Sequence, residues 1–153
     1  MAVKVIESLS ALEKMVGQEI AVSDWLEVTQ QRIDAFAAAT EDHQWIHVDV
    51  ERAKDSPMGT TIAHGYLTLS LIAGFSFRTF RVEGVKMGLN YGLNRVRFTG
   101  MVPAGSLLRA RFVLKEATRI EGGLQLVYNV TIERQGSEKP VCVAETISRV
   151  LAA

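Results

Sequence analysis

Residues 124–133 read Leu-Gln-Leu-Val-Tyr-Asn-Val-Thr-Ile-Glu, and this stretch decides the fold class. Its apolar residues recur at every second position, which is the period of a strand with one buried face. Residues 108–115 repeat the alternation, and residues 141–151 form a third long candidate strand. The turns between them contain Gly122-Gly123 and Gln135-Gly136-Ser137. Because short glycine-containing turns join antiparallel neighbours, the sequence predicts a three-stranded antiparallel meander.

The segment Gly65–Phe77 has a helical pattern of a different kind. Its large apolar side chains surround the helical wheel instead of forming one stripe. A helix that is apolar on most sides is usually enclosed by the rest of the fold. Strands of ten residues span roughly 33 Å, which is long enough to curve around such a helix. We therefore predict an α+β fold in which a long curved antiparallel sheet wraps around a central apolar helix.

Composition limits the class of protein. A chain of 153 residues with 48% hydrophobic and 22% charged residues suits one globular domain, which we expect to span residues 1–153. Lys+Arg and Asp+Glu are equal at 17 each, so no net charge attracts nucleic acid or an anionic membrane. The N-terminus lacks an apolar leader, and the lone Cys142 cannot form an internal disulfide. These features predict a cytoplasmic protein.

All three histidines lie in one short window, between positions 43 and 64. Asp42 and His47 are five residues apart, after a helix that we predict to begin at an N-cap Thr29 and to run through Ala39. We expect residues 41–64 to be mostly loop, with a helical turn near residues 49–54. Such a concentration of titratable groups indicates where the chemistry of the protein lies.

These motifs together resemble those of the MaoC-like (R)-specific enoyl-CoA hydratases, which have the hotdog fold, and a subgroup that also includes NodN-type proteins. That family carries an acid, an Asn-Pro pair and a histidine, then a small residue, then His-Gly at the start of the central helix. The matching positions here are Asp42, His47, Ala53, His64-Gly65 and, within the helix, Ser70. Gln44-Trp45 replaces Asn-Pro, so the loop departs from the family pattern.

The resemblance implies reversible addition of water to a trans-2-enoyl-CoA, with Asp42 and His47 as the catalytic pair. A neutral imidazole can take the proton of the attacking water while a protonated carboxyl group delivers one to C2, and the roles exchange in dehydration. The backbone N–H of Gly65, at a helix N-terminus, is placed to bind the thioester oxygen, and Ser70 is a second candidate for substrate binding. The resemblance further implies a homodimer, an acyl-CoA thioester as substrate, no metal, and no cofactor beyond the coenzyme A of the substrate.

Several alternatives remain open from the sequence. Asp42 could satisfy loop amides and His47 could be structural, while Ser70 could bond to a carbonyl one turn earlier. His64 could only orient the helix entrance. The spacing of His43 and His47 suits a metal, but no HExxH pattern or cysteine pair supports one. The rival functions are a hotdog thioesterase, which needs no histidine after the acid, and a non-catalytic acyl-binding module.

Overall fold

The computed structural model describes residues 2–153 and contains eight strands and five helices in that range. In chain order they are β1 (Lys4–Ile6), α1 (Leu9–Glu13), β2 (Glu19–Val22), β3 (Leu26–Val28), α2 (Gln30–Thr40), α3 (Trp45–Val48), α4 (Val50–Lys54), α5 (Gly65–Thr79), β4 (Phe80–Val82), β5 (Val85–Arg97), β6 (Ser106–Ile120), β7 (Gly123–Arg134) and β8 (Cys142–Ala152). Among these helices, none has the length and apolar character needed to cross a bilayer.

The main sheet is antiparallel and has the order β2-β6-β7-β8-β5, with β3 also paired to β6. The predicted meander is confirmed as β6-β7-β8. The register shifts between Leu114 and Glu116, where β6 carries one extra residue against β7, and it shifts again along the β5–β8 pair. Such bulges bend a strand and increase its twist, which curves the sheet around α5. A separate parallel pair, β1 with β4, lies outside this sheet.

The core forms between one face of α5 and the concave face of the sheet. Leu67, Leu71 and Phe75 of α5 are buried, as are the inward residues of β6 and β7. Phe80 follows α5 and meets the ring of Phe112 on β6 edge-on, with centroids 5.4 Å apart. Burying a side chain such as that of Phe75 contributes roughly 1.5–3 kcal/mol to the free energy of unfolding. The alternating residues predicted from the sequence therefore supply the sheet half of the core.

The predicted sheet does curve around α5, but one side of this helix is left exposed in the isolated chain. Tyr66 is 70% exposed and Phe77 is 83% exposed, and both lie on the side of α5 away from the core. One copy of the sheet covers only one side of the helix. The edge strand β5 is also largely exposed and carries Leu89 and Leu93 on its surface. An apolar surface on α5 and β5 is thus left uncovered by the chain itself.

Two local features place the loop that follows α2. Thr29 is the N-cap of α2 and its hydroxyl accepts a hydrogen bond from the Arg32 N–H (3.1 Å), as predicted. The helix ends at Thr40, and Glu41 adopts a left-handed conformation with φ 65°. This conformation reverses the chain direction, and Asp42 follows immediately. Residues 41–64 hold more structure than expected, because α3 precedes the predicted turn that forms α4.

Candidate active site

Asp42 lies at the surface just beyond the end of α2. The Gln44 N–H donates to Asp42 Oδ1 over 3.4 Å, which is a long hydrogen bond. The carboxylate therefore keeps most of its hydrogen-bonding capacity. A carboxylate that makes only one long hydrogen bond is suited to exchange protons with a bound molecule.

His47 is buried on α3, and its ring orientation is set by one hydrogen bond. Its Nδ1 lies 2.7 Å from the backbone oxygen of Ile62. A carbonyl oxygen can only accept, so Nδ1 carries the proton and Nε2 keeps a lone pair in the neutral ring. The backbone of His47 is also held, because Gln30 Nε2 donates to its carbonyl oxygen (2.8 Å) and Gln30 accepts from the Thr61 hydroxyl. These contacts make His47 Nε2 a positioned proton acceptor.

His64 connects the two predicted catalytic residues. Its Nε2 donates to the backbone oxygen of Asp42 (3.0 Å), and its ring stacks on that of His47 with centroids 3.8 Å apart and planes at 20°. The ring of Phe36 on α2 packs against its other side at 4.9 Å. Within residues 2–153, His64 Nδ1 has no hydrogen-bond partner. His64 therefore contacts the backbone of Asp42 and the side chain of His47 at once.

The three residues form a compact cluster. One carboxylate oxygen of Asp42 and one ring nitrogen from each histidine lie within 4.8 Å of one another. A zinc ion binds an imidazole nitrogen at about 2.0–2.1 Å, along its in-plane lone pair. Because the two rings are stacked almost parallel, an ion shared between them would lie out of the plane of at least one ring. The geometry suits proton transfer better than shared metal ligation.

A cavity of about 410 Å³ opens beside this cluster at the N-terminus of α5. Its walls come from the loop before α5, from α5 itself and from the segment after β5; they include His47, Ile62, Ala63, Gly65, Thr68, Phe98, Thr99, Gly100, Met101, Val102 and Val141. Within residues 2–153, no side chain caps the N-terminus of α5. Its first N–H groups therefore face the cavity region with the positive end of the helix dipole.

The close packing of the Phe98 ring requires glycine at position 65, and the sequence did not indicate this contact. A Cβ atom at this position would lie 2.8 Å from the ring of Phe98, closer than carbon atoms pack. Phe98 also meets the ring of Tyr66 edge-on at 6.0 Å. The absence of a side chain at Gly65 thus admits Phe98 and leaves the Gly65 backbone N–H beside the cavity.

Other residues singled out from the sequence lie elsewhere. The Ser70 hydroxyl donates to the Tyr66 carbonyl oxygen (2.7 Å), and Ser70 is exposed and is not part of the cavity wall. Its role in substrate binding stays a prediction.

His43 is exposed. Trp45 packs under the guanidinium group of Arg52, 4.2 Å from the ring centroid, and does not line the cavity. Sequence reasoning missed Thr68 and Phe98 as wall residues.

Comparison with known proteins agrees with this arrangement. An antiparallel sheet curved over one face of a helix, with an acid–histidine pair at the N-terminus of that helix, defines a hotdog-fold protein of the MaoC-like type. The family model described as MaoC like domain matches residues 11–135, and the chain belongs to that family. The chain is 46% identical to 3-hydroxyacyl-thioester dehydratase Z of Mycobacterium tuberculosis, over 97% of this chain and 99% of that protein.

Two further relatives extend the comparison. Nodulation protein N of Rhizobium leguminosarum bv. viciae is 47% identical, over 92% of this chain and 89% of that protein. The unliganded R-hydratase of Pseudomonas aeruginosa has a similar fold, with a TM-score of 0.74 and 23% identity, over 95% of this chain and 86% of that one. The predicted resemblance to MaoC-like and NodN-type proteins is therefore confirmed.

Proposed function

We propose that this protein is an (R)-specific enoyl-CoA hydratase and 3-hydroxyacyl-CoA dehydratase. The observation that carries the proposal is the cluster that a ring nitrogen of His47 forms with the Asp42 carboxylate, in a ring whose Nδ1 is held by the Ile62 carbonyl oxygen so that Nε2 carries the lone pair of the neutral form. The cavity and the uncapped start of α5 lie beside that cluster. The name of the mycobacterial relative, a 3-hydroxyacyl-thioester dehydratase, supports the same reaction class.

The chemistry follows from these groups. In hydration, His47 Nε2 accepts a proton as the water oxygen bonds to C3, and the electrons of the C2–C3 double bond move toward the thioester. The Gly65 N–H stabilises the negative charge that develops on the thioester oxygen. Asp42, protonated in that complex, delivers a proton to C2 and completes the (R)-3-hydroxyacyl product. Dehydration uses the same groups in the opposite protonation states.

The decisive experiment is incubation with trans-2-enoyl-CoA thioesters. The enoyl absorbance and the release of free thiol are followed with time, and the product is then analysed for chirality. We expect loss of absorbance, formation of the (R)-3-hydroxyacyl product and no free thiol. Release of free thiol with intact enoyl absorbance would identify a thioesterase instead. Thermal stabilisation by the ligand without any reaction would identify a non-catalytic acyl-binding module.

We further propose a homodimer. Large apolar side chains are exposed on both α5 and β5, and β5 is a 13-residue edge strand whose outer side has no partner strand within residues 2–153. Long edge strands attract pairing, and a second copy related by a twofold axis would cover both the edge and the helix face. Because this surface begins at Tyr66, next to Gly65, the partner would lie close to the cavity. A cytoplasmic location, as expected for a single-domain enzyme with one free cysteine, is part of the same proposal.

A further inference from the structure

The hydroxyl group of Thr68 has no hydrogen-bond partner within residues 2–153, although Thr68 is only 2% exposed. Buried hydroxyl groups are almost always bonded, so a free one needs an explanation. Thr68 also lines the same cavity as His47 and Gly65. An unbonded polar group in the wall of a candidate active site points to a ligand group that completes it.

Three other hydroxyl groups in helices of this protein behave differently. Thr40, Ser70 and Thr79 each donate to the carbonyl oxygen four residues earlier, over 2.7, 2.7 and 2.5 Å. The equivalent acceptor for Thr68 is the His64 carbonyl oxygen. That oxygen already accepts from the backbone N–H groups of Leu67 (3.1 Å) and Thr68 (3.2 Å). A carbonyl oxygen has two lone pairs, so the usual intrahelical bond is closed to the Thr68 hydroxyl.

Helix geometry directs Thr68 toward Gly65. Residues three apart lie on the same face of a helix, and each side chain leans over the turn that precedes it. The Thr68 side chain therefore covers the first turn of α5, where the Gly65 N–H is free of side-chain caps. Rotation about the Cα–Cβ bond of Thr68 moves its hydroxyl among the staggered positions, so the hydroxyl can turn toward the cavity without movement of the backbone.

We propose that the Thr68 hydroxyl donates a second hydrogen bond to the thioester oxygen held by the Gly65 N–H. This assignment rests on the proposed hydratase function, and it makes Thr68 a catalytic residue of that reaction. The thioester oxygen gains negative charge only as water adds to C3, so the bond is stronger in the transition state than in the bound substrate. Its loss should therefore lower kcat and leave KM nearly unchanged.

The test compares Thr68→Val, which keeps the shape and removes the hydroxyl, with Thr68→Ser, which keeps the hydroxyl. Hydration of crotonyl-CoA by the full chain should lose about 10²–10³-fold in kcat for Thr68→Val, the scale of one removed oxyanion donor. Thr68→Ser should stay within about threefold of wild type. The Tm of Thr68→Val should be equal or higher, because the change removes an unbonded buried group. Thr79→Val is the matched control, since it removes a bonded hydroxyl from the same helix and should lower Tm without lowering kcat.

Two outcomes would overturn the assignment. A Thr68→Val protein with wild-type kcat would show that the hydroxyl is only an unbonded core atom. An equal fall in kcat for Thr68→Val and Thr68→Ser would show that the reaction is sensitive to any change of this side chain and that a retained hydroxyl does not support it. A wild-type protein that hydrates no enoyl-CoA would instead overturn the proposed function itself, and the Thr68 assignment with it.

Discussion

The imidazole of His64 stacks on that of His47 at 3.8 Å while its Nε2 donates to the backbone oxygen of Asp42. One side chain thus holds the loop that carries the acid and contacts the ring of the base. His64 is also the N-cap residue of α5, directly before Gly65. In the proposed mechanism His64 is therefore a positioning residue, because it contacts the proposed acid and base and directly precedes the proposed oxyanion donor.

Two substitutions separate the contacts of His64. His64→Gln keeps a donor for the Asp42 carbonyl but removes the stacked ring, whereas His64→Phe keeps a ring and removes the donor. We expect His64→Phe to lose about tenfold in kcat, because one hydrogen bond contributes about 0.5–1.5 kcal/mol to holding the loop. His64→Gln should recover most of that loss, as measured by hydration kinetics with Tm as the check on folding. Equal losses of kcat in the two variants would show that the hydrogen bond to the Asp42 carbonyl oxygen is not the contact that supports activity.

The catalytic pair should behave as a unit. Asp42→Asn and His47→Gln should each keep the fold and lose about 10²–10⁴-fold in kcat, the range for positioned acid–base groups. The double variant should be little worse than either single one, because neither residue completes proton transfer without the other. The exposed His43, replaced by Gln, is the control for removal of a nearby imidazole. Near-wild-type turnover by folded Asp42→Asn would reject the mechanism.

The apolar surface on β5 should hold a dimer. Light scattering at micromolar concentration should give about twice the chain mass of 16.9 kDa. Leu89→Asp places a charge on this surface and should yield monomer with lower activity, because burying an unpaired charge in an interface is costly. Val16→Asp changes an equally exposed apolar residue outside α5 and β5 and should leave the dimer intact. A wild-type monomer with full activity would contradict the dimer proposal.

Acyl-chain preference tests the position of Trp45. Trp45 lies two residues before His47, and an indole that entered the pocket would either shorten an acyl tunnel or send it toward Tyr66 and Tyr91. The contact between Trp45 and Arg52 keeps the ring out of the cavity wall. We therefore expect kcat/KM to rise from four-carbon to medium-chain enoyl-CoA, since each buried methylene adds about 0.8 kcal/mol. Strict preference for crotonyl-CoA that persists in Trp45→Ala would show that another residue limits the pocket.

Stability should depend on pH through Glu133. Burial raises the pKa of this carboxyl group, but hydrogen bonds and charges from Arg111 and Arg109 outweigh burial and lower it below its ordinary value. The folded-state pKa is below the unfolded one, so the carboxylate stabilises the fold above about pH 4.3 and this contribution is lost as pH falls through the folded value. Partly exposed pairs contribute about 0.5–1 kcal/mol after screening.

Glu133→Gln should accordingly lower Tm by about 2 °C at pH 7, and the difference from wild type should shrink below about pH 4. Scanning calorimetry across pH measures both values. Glu121→Gln, in the exposed turn between β6 and β7, is the control and should show no such pH-dependent difference. A Tm difference between Glu133→Gln and wild type that stays constant with pH would mean that packing of the side chain, rather than its charge, stabilises the sheet.

Local sequence patterns were enough to predict the main strands and helices of this protein and its resemblance to the MaoC-like family. The alternation in residues 124–133 depends only on which side of a strand faces water, so it predicted β7 and its neighbours well. The cap at Thr29 depends on groups three residues apart, and it also was predicted. The spacing of Asp42, His47 and His64-Gly65 is a linear motif, which is why the resemblance to the MaoC-like family was visible in the sequence.

Only the tertiary structure shows which apolar side chains the chain itself buries and which residues distant in sequence come into contact. An apolar pattern around α5 says that the helix avoids water, but it cannot say whether the same chain or another one shields Tyr66 and Phe77. The bond from His64 to the Asp42 carbonyl joins residues 22 apart, and the contact of Phe98 with Gly65 joins a strand end to a helix start. Such contacts depend on how the sheet curves around the helix, because curvature is a property of the whole sheet and not of any single segment.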